Sequence, residues 1–207
     1  CKYRFGMTGT LDGTQTHRLV LEGLFGKVEK VTSTKELMDK DTLASLKIKC
    51  LVLKHKESEC KEVKDLKYSD ELQYIVAHKT RNDFISRLCD KLSGNTLCLY
   101  QLVEKHGLVL YNMMKDFDRK VFFIHGGTDT ETREKIRAIT EKETNAIIVA
   151  SYGTFSTGIN IRNLHNIVFA SPSKSRIRVL QSIGRGLRKS DKGDIRTTLL
   201  DIADDFT

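Results

Sequence analysis

The stretch that decides the fold is Ala146-Ile147-Ile148-Val149-Ala150-Ser151-Tyr152-Gly153-Thr154-Phe155-Ser156-Thr157-Gly158-Ile159-Asn160. Its first part, residues 146–150, is an uninterrupted apolar run, which predicts a strand buried on both faces. The residues that follow are rich in glycine and small hydroxyl side chains, which predicts a loop directly after the strand. A buried strand that runs into such a loop is typical of a parallel sheet covered by helices.

The chain on both sides of this stretch alternates between predicted strands and predicted helices. The strands are predicted at 46–53, 96–100, 121–125, 146–150, 167–170 and 197–202, and the helices at 16–25, 35–40, 69–92, 103–117, 130–141 and 175–188. The charged segment 54–67 has no clear period and is interpreted as a solvated loop or an edge hairpin. The alternation predicts an α/β fold with a mostly parallel sheet and helices on both faces, whose functional loops lie at the carboxyl ends of the strands.

Charge favours a polyanionic partner. The 207 residues include 35 Lys plus Arg against 27 Asp plus Glu, which gives a net charge of +8. Much of the excess falls within 174–192, whose basic residues are Lys174, Arg176, Arg178, Arg185, Arg188, Lys189 and Lys192. Nucleic acid is the simplest partner for such a surface.

The cysteine pattern and the hydropathy of the sequence predict the cellular compartment of the protein. The five cysteines are scattered and pair neither with each other nor with the six histidines at metal-ligand spacing, so we expect buried thiols in a reducing, cytoplasmic compartment and no metal site. No apolar run approaches the roughly 18 residues of a membrane span. The sequence opens at Cys1 with neither an initiator Met nor a signal peptide, so we expect one domain of a larger protein.

Two loops at predicted strand ends are suited to phosphate. In 151–160, glycines allow backbone N–H groups to approach phosphate closely and hydroxyls can donate to its oxygens; a flexible turn is the alternative. The second loop is His125-Gly126-Gly127-Thr128, which precedes a helix that contains Arg133. Thr128 is a candidate for phosphate contact or for the helix N-cap, and Arg133 for a direct contact or a plain surface position.

The segment 181–188 carries Gln181, Arg185 and Arg188 at i, i+4 and i+7, on one face of the predicted helix. Two guanidiniums one turn apart can form a forked clamp for phosphate oxygens. A solvated basic helix is the alternative. The glycines at 184 and 186 favour a functional role, because each costs a helix about 1 kcal/mol relative to alanine.

Four segments, in order, resemble motifs of the superfamily-two helicases: Thr8-Gly9-Thr10 (motif three), His125 to Thr128 (motif four-a), Ser151 to Asn160 (motif five) and Gln181 to Arg188 (motif six). His106-Gly107 resembles the motif-four region, for which we expect a structural role first and DNA contact second. The chain therefore resembles the second, C-terminal RecA-like motor domain of these enzymes. Asn160 departs from the family, since many relatives have Asp there, and this removes a charge.

The resemblance implies a role for each matching residue. Gln181, Arg185 and Arg188 would be catalytic, the arginines as fingers on the γ-phosphate of ATP. Gly158 and Asn160 would approach ATP, and Thr8, Gly9 and Thr10 would couple the domains. The nucleic-acid backbone would be contacted by Gly127, Thr128, Ser151, Thr154 and Ser156.

The rest of the ATP site is expected elsewhere. The chain has no Gly-x-x-x-x-Gly-Lys-Ser/Thr loop, and Asp70-Glu71 opens a predicted helix. We therefore expect the phosphate-binding loop and the Mg²⁺ ligands on a preceding RecA-like domain. Residues 1–11 would be the tail of that domain, 12–45 a connecting segment and 46–207 the second RecA-like domain.

The function that the resemblance implies is an ATP-dependent motor that unwinds or branch-migrates branched DNA in recombination and repair, inactive as this chain alone. The alternative is a non-catalytic RecA-like module that binds nucleic acid, which the basic segment fits equally well. The arrangement of Gln181, Arg185 and Arg188 discriminates between them, because a binding surface does not need it.

Overall fold

The computed structural model describes residues 3–7, 15–33, 36–37, 40, 46–158, 161, 163–174 and 197–206, with the backbone alone at 15 and 156–158. The helices are α1 Gln15–Phe25, α2 Glu57–Val63, α3 Tyr68–Ala77, α4 Lys79–Lys91, α5 Leu108–Met114, α6 Thr130–Lys142 and α7 Tyr152–Gly158, and a π-helix, Val103–Gly107, precedes α5. The strands are β1 Leu46–Lys54, β2 Thr96–Tyr100, β3 Val121–Ile124, β4 Ile147–Ser151, β5 Asn166–Phe169 and β6 Thr197–Asp205. In these ranges no helix is long and apolar enough to cross a membrane.

The strands form one six-stranded sheet in the order β1-β6-β5-β2-β4-β3. Every strand pair is parallel. Parallel neighbours need crossover connections, and described helices lie between β1 and β2, β2 and β3, β3 and β4, and β4 and β5. The predicted α/β class with a parallel sheet is confirmed.

Alternate residues of the central strands point into two separate cores. On one face, Leu97 and Leu99 of β2 pack with Ile136 of α6 and Phe155 of α7. On the other face, side chains of β2 and β4 pack with α4 and α5; they include Cys98, Tyr100, Ile147, Val149, Ile85, Cys89, Leu110 and Met114. Both faces of the central sheet are therefore removed from water, as the apolar run at 146–150 predicted.

The edge strand β1 differs from its prediction. The apolar end of 46–53 predicted burial, but the exposed fractions of Ile48 and Val52 are 62% and 57%. Leu51 and Leu53 pack against the second core. The second half of the strand alternates between half-buried and exposed residues, because one of its faces meets that core. Among the described strands, β1 pairs with β6 alone.

The charged segment 54–67 is partly helical, so its prediction as a loop or hairpin is wrong. The Lys56 N–H donates to Glu59 Oε2 at 2.9 Å, which satisfies a backbone donor at the start of α2. Glu57 and Glu59 lie in the first turn, where carboxylates suit the helix dipole. Capping and charge thus stabilise a helix that has no apolar period.

The helix predicted over 69–92 is two helices that meet at His78. His78 has an extended backbone, with φ −67° and ψ 110°, and ends α3. Its Nδ1 accepts a hydrogen bond from the Arg81 N–H at 3.3 Å, so the same residue is the N-cap of α4. The interruption of the apolar stripe around 79–82 marks this break.

His106 is wholly buried and Gly107 is buried, as the structural role expected for them requires. His106 Nδ1 lies 2.7 Å from Ser171 Oγ, and its Nε2 lies 3.1 Å from Asn82 Oδ1. A Cβ on Gly107 would lie 2.4 Å from the ring of Tyr100. Tyr100 cannot easily move away, because its hydroxyl donates to the Ile124 carbonyl at 3.0 Å.

Gly107→Ala should therefore lower the free energy of unfolding by about 1–3 kcal/mol, the usual cost of overpacking a core. Urea denaturation measures it. Gly23→Ala is the matched helical control, because a Cβ there would meet nothing within 4 Å. We expect the control to leave stability unchanged or to raise it by at most about 1 kcal/mol. Equal effects of the two substitutions would contradict the close contact.

Stability should also depend on pH through His106. Burial and then the positive charge of Arg81 lower the pKa of His106 to about 3, whereas an unfolded histidine titrates near ~6.5. Between these values only the unfolded chain binds the proton, so this contribution is complete above the unfolded pKa and is lost as pH falls through the window. The expected slope is about 1.4 kcal/mol per pH unit.

Urea denaturation between pH 6 and pH 4.5 measures this slope. His106→Gln should flatten the dependence by that amount, and His17→Gln, at an exposed position of α1, should not change it. Parallel curves for the native chain and His106→Gln would show that His106 titrates normally in the fold.

Candidate nucleic-acid interface

A cleft with a volume of about 530 Å³ opens at the carboxyl ends of the central strands β2, β3 and β4. It is lined by Gln101, Val103, Gly126, Arg133, Ser151, Tyr152, Gly153 and Thr154. Tyr100 pairs with Ser151, and Ile124 pairs with Ala150, so the strands end at nearly the same level. This places both predicted phosphate-binding loops at one edge, the usual ligand-binding edge of an open parallel sheet.

The loop 125–128 is a turn held by its own side chains. The His125 N–H donates to Thr128 Oγ1 at 3.1 Å, and the Thr128 N–H donates to the His125 carbonyl at 3.0 Å. The Gly127 N–H donates to His125 Nδ1 at 3.1 Å. A Cβ on Gly127 would lie 2.9 Å from the His125 ring, so this compact turn needs glycine there.

Thr128 is not the N-cap of the following helix. Asp129 takes that position, and its carboxylate accepts hydrogen bonds from the Thr132 hydroxyl at 2.7 Å and the Thr132 N–H at 2.8 Å. These bonds, the hydroxyl first, lower the pKa of Asp129. Thr128 therefore has no capping role. It is half-buried and lies beside the cleft.

Arg133 reaches from α6 back to this loop. Its Nη2 donates to the Gly126 carbonyl at 2.9 Å, with a longer contact of 3.4 Å to the His125 carbonyl. Its Nε is buried and has no hydrogen-bond partner. A guanidinium that holds the loop and still lacks one partner is a strong candidate donor for a bound anion.

Ser151 and Thr154 join the end of β4 to α7. Their hydroxyl oxygens lie 2.7 Å apart, and the Thr154 N–H donates to Ser151 Oγ at 3.3 Å. The predicted loop 151–160 is thus helical from Tyr152 to Gly158. The apolar positions Tyr152 and Phe155 explain this difference, because both side chains are buried and anchor the turn to the sheet.

Gln101 is a site residue that sequence reasoning missed. It follows β2 directly, and its N–H donates to Ser171 Oγ at 3.0 Å. Its side-chain Oε1 is buried at the cleft without a hydrogen-bond partner. The available signal was its position immediately after a predicted buried strand.

The chemistry of the lining suits anion binding rather than bond cleavage. The lining residues supply a guanidinium, hydroxyls and an amide, and include no Asp, Glu, His or Cys. Burial, with smaller contributions from nearby charges, raises the pKa of Tyr152, whose hydroxyl donates to the Ser171 carbonyl at 2.9 Å. Tyr152 therefore serves as a neutral wall of the cleft.

Of the five residues predicted to contact nucleic acid, Ser151 and Thr154 line the cleft, and Gly127 and Thr128 belong to the adjoining turn, whose Gly126 lines it. Ser156 and Gly158 belong to α7, where only the backbone is described. The remaining predicted site residues lie outside the described residues; they are Gln181, Arg185, Arg188, Asn160, Thr8, Gly9 and Thr10.

Known proteins are similar to this chain in sequence and in fold. Residues 79–190 match the family described as "Helicase conserved C-terminal domain". The chain is 36% identical over 200 residues to the "ATP-dependent DNA helicase uvsW" of Enterobacteria phage T4, covering 95% of this chain and 40% of that protein. The crystal structure of T4 UvsW superposes with a TM-score of 0.68 at 35% identity, over 89% of this chain and 36% of that chain.

More distant structures share the fold alone. S. cerevisiae Dbp5 bound to RNA and ADP BeF3 superposes with a TM-score of 0.57 at 14% identity, over 96% of this chain and 44% of that chain. The parallel sheet is thus the RecA-like architecture that the sequence predicted. Its motif-bearing loops, the family match and the relationship to UvsW agree, and the chain belongs to the helicase conserved C-terminal domain family.

Proposed function

We propose that this chain is the C-terminal motor domain of an ATP-dependent DNA helicase whose cleft holds the phosphate backbone of one DNA strand. The observation that carries the proposal is the cleft itself, which Arg133, Ser151 and Thr154 line together with Gly126 of the turn that contains Thr128. The similarity to the phage helicase supports the motor role.

Each of the two loops has a hydroxyl proton that it can donate to a phosphate oxygen. Thr128 Oγ1 already accepts from the His125 N–H, so its own O–H proton is directed elsewhere. In the Ser151–Thr154 pair one hydroxyl donates to the other, and the second keeps its proton for a further acceptor. Contacts of this kind read no bases, so binding should be nearly independent of sequence and strongly salt-dependent.

The ATP site would be shared with a preceding RecA-like domain that supplies the phosphate-binding loop and the Mg²⁺ ligands. This chain would contribute Arg185 and Arg188 as fingers, Gln181 as their link to the nucleotide, and Gly158 with Asn160 near ATP. An arginine finger accelerates phosphoryl transfer by about 10³–10⁵. It acts on charge that develops in the transition state more than on ground-state binding.

Movement along DNA would follow from the division of the chain into three parts, with boundaries after residues 11 and 45. Thr8, Gly9 and Thr10 would end the first domain and transmit its state, residues 12–45 would connect the two, and 46–207 would carry the strand grip. When hydrolysis removes the γ-phosphate, the fingers lose their partner and the domains separate. We propose branched DNA as the substrate, in recombination and repair in the cytoplasm, because the motifs resemble those of superfamily-two helicases.

The strand grip predicts that Arg133→Ala lowers the affinity of the chain for a single-stranded DNA oligonucleotide by about tenfold, as expected for a lost charge-assisted contact. The slope of log K against log salt should also shrink by about 0.7, one phosphate contact. Fluorescence anisotropy at several salt concentrations measures both quantities.

Arg137→Ala is the matched control. Arg137 lies one turn further along α6 and is paired with Glu134 at 2.7 Å and Glu141 at 3.0 Å. Its removal should leave the slope unchanged. Arg133→Lys should keep the slope and lose affinity, because an ammonium cannot bind the loop and a phosphate as a fork does. The same slope change for Arg133→Ala and Arg137→Ala would refute the strand grip.

The finger role predicts that Arg188→Ala, in the protein that joins this chain to its nucleotide-binding domain, lowers kcat by at least about 10³. The dissociation constant for ATP should change only severalfold. Lys189→Ala, at the neighbouring basic residue, is the control and should keep full turnover. Steady-state ATPase assays and nucleotide binding measure the two effects.

The alternative, a RecA-like module that binds nucleic acid without catalysis, gives the opposite result. Arg188→Ala would then weaken DNA binding while any ATP turnover stayed the same. A further check is that the 207-residue chain alone should hydrolyse no ATP, with or without DNA.

A further inference from the structure

A cluster of two imidazoles and one carboxylate lies beside β1 and β6, away from the strands that form the cleft. His55 follows β1, Glu59 lies in the first turn of α2, and His78 joins α3 to α4. One ligand atom from each lies within 4.8 Å of the other two. The sequence predicted no metal site, because His78 lies 19 residues after Glu59 and only the fold brings it to the His55–Glu59 pair.

His55 is held in the orientation that a metal ligand needs. Its Nε2 lies 3.0 Å from Asp204 Oδ1, and Arg81 Nε binds the other oxygen of that carboxylate at 2.8 Å. Because a carboxylate paired with a guanidinium accepts hydrogen bonds, the imidazole proton is on Nε2 and the lone pair is on Nδ1. That Nδ1 lies 4.0 Å from Glu59 Oε2. A carboxylate that orients a histidine in this way is the usual outer partner of a metal-bound imidazole.

The His55 ring has little freedom to turn. It stacks on Phe206, with the ring centroids 3.8 Å apart, and its side chain is 5% exposed. Its position is therefore fixed before any ion arrives, which reduces the cost of ordering the ligands.

Glu59 and His78 complete the cluster. Glu59 Oε1 lies 3.0 Å from His78 Nε2, and Glu59 Oε2 accepts from the Lys56 N–H at 2.9 Å. For His78 Nε2 to bind an ion, its proton must leave or move to Nδ1. A move to Nδ1 would cost the 3.3 Å hydrogen bond from the Arg81 N–H, which is among the longer ones of the fold. Metal binding with the proton on Nδ1 therefore replaces two hydrogen bonds, the weak cap bond and the 3.0 Å bond to Glu59, with coordinate bonds from His78 and Glu59 to the ion.

We propose that His55 Nδ1, His78 Nε2 and the Glu59 carboxylate bind one divalent transition-metal ion, with Zn²⁺ as the best match. Zinc bonds to nitrogen and oxygen are about 2.0–2.2 Å long, so ligand atoms around a tetrahedral ion are about 3.4 Å apart. The atoms here are separated by 3.0 to 4.8 Å and need only small shifts. Two imidazoles disfavour Ca²⁺ and Mg²⁺, which take oxygen ligands.

The ion would have a structural role. It would cross-link the turn after β1, the start of α2 and the α3–α4 junction, while Asp204 and Arg81 tie the same point to β6 and α4. Water would take the fourth position. This site is independent of the proposed motor function, since none of its residues lines the cleft.

Calorimetry at neutral pH tests the site. The chain is first treated with a chelator and is then titrated with Zn²⁺. We expect one ion per chain and a rise in the melting temperature. Co²⁺ should bind in competition and give the intense visible absorption of a tetrahedral ion.

Two variants each remove a ligand atom but keep the hydrogen bond made by the other ring nitrogen. His55→Gln keeps a donor toward Asp204, and His78→Asn keeps an acceptor for the Arg81 N–H.

Each variant should bind Zn²⁺ at least about tenfold more weakly, by comparison with the loss of even an outer-shell partner. Without metal, both should melt close to the native chain. His17→Asn, at an exposed histidine of α1, is the control and should bind as the native chain does. The proposal is overturned if the native chain shows no saturable binding, or if His55→Gln and His78→Asn bind Zn²⁺ as tightly as His17→Asn does.

Discussion

The parallel pairing of β2 with β4 is the constraint on which both the fold and the cleft depend. Every residue of these two strands is buried. Their backbone N–H and C=O groups have no access to water and must bond to neighbouring strands. A shift of one residue would also exchange the sets of side chains that fill the two cores. The register that pairs Tyr100 with Ser151 is therefore fixed, and with it the level at which Gln101 and Tyr152 leave the sheet.

At the opposite, amino-terminal edge of the sheet, one buried side chain links several elements. Asn95 Nδ2 donates to the carbonyls of Thr140, Glu143 and Asn163 at 2.9–3.0 Å, and its Oδ1 accepts from the Ala146 N–H at 2.8 Å. Asn95 is wholly buried. One amide thus ties the starts of β2 and β4 to the end of α6. This edge of the sheet is locked by internal hydrogen bonds, whereas the opposite edge is open at the cleft.

The sequence predicted the strands and the edge that carries the loops, because buried parallel strands are apolar runs and loops after them share one edge. It misjudged features that depend on tertiary contacts. Phe155 anchors α7 inside a stretch that reads as a loop, and α2 is stabilised by capping without an apolar period. The hydrogen bond from Arg133 to the Gly126 carbonyl and the approach of His55 to His78 join separate elements, so no local pattern could reveal them.

The most direct test of the account is an amide chemical-shift map of the isotopically labelled chain titrated with a single-stranded DNA oligonucleotide at low salt. We predict large, saturable shifts in the amides of 126–128 and 151–154, which line the open edge, and little change at 94–96 and 163–166 on the locked edge. Contacts with phosphate should give the same pattern for oligonucleotides of different sequence. Unchanged signals from both loops while DNA binds elsewhere on the chain would contradict the claim that this cleft holds the strand.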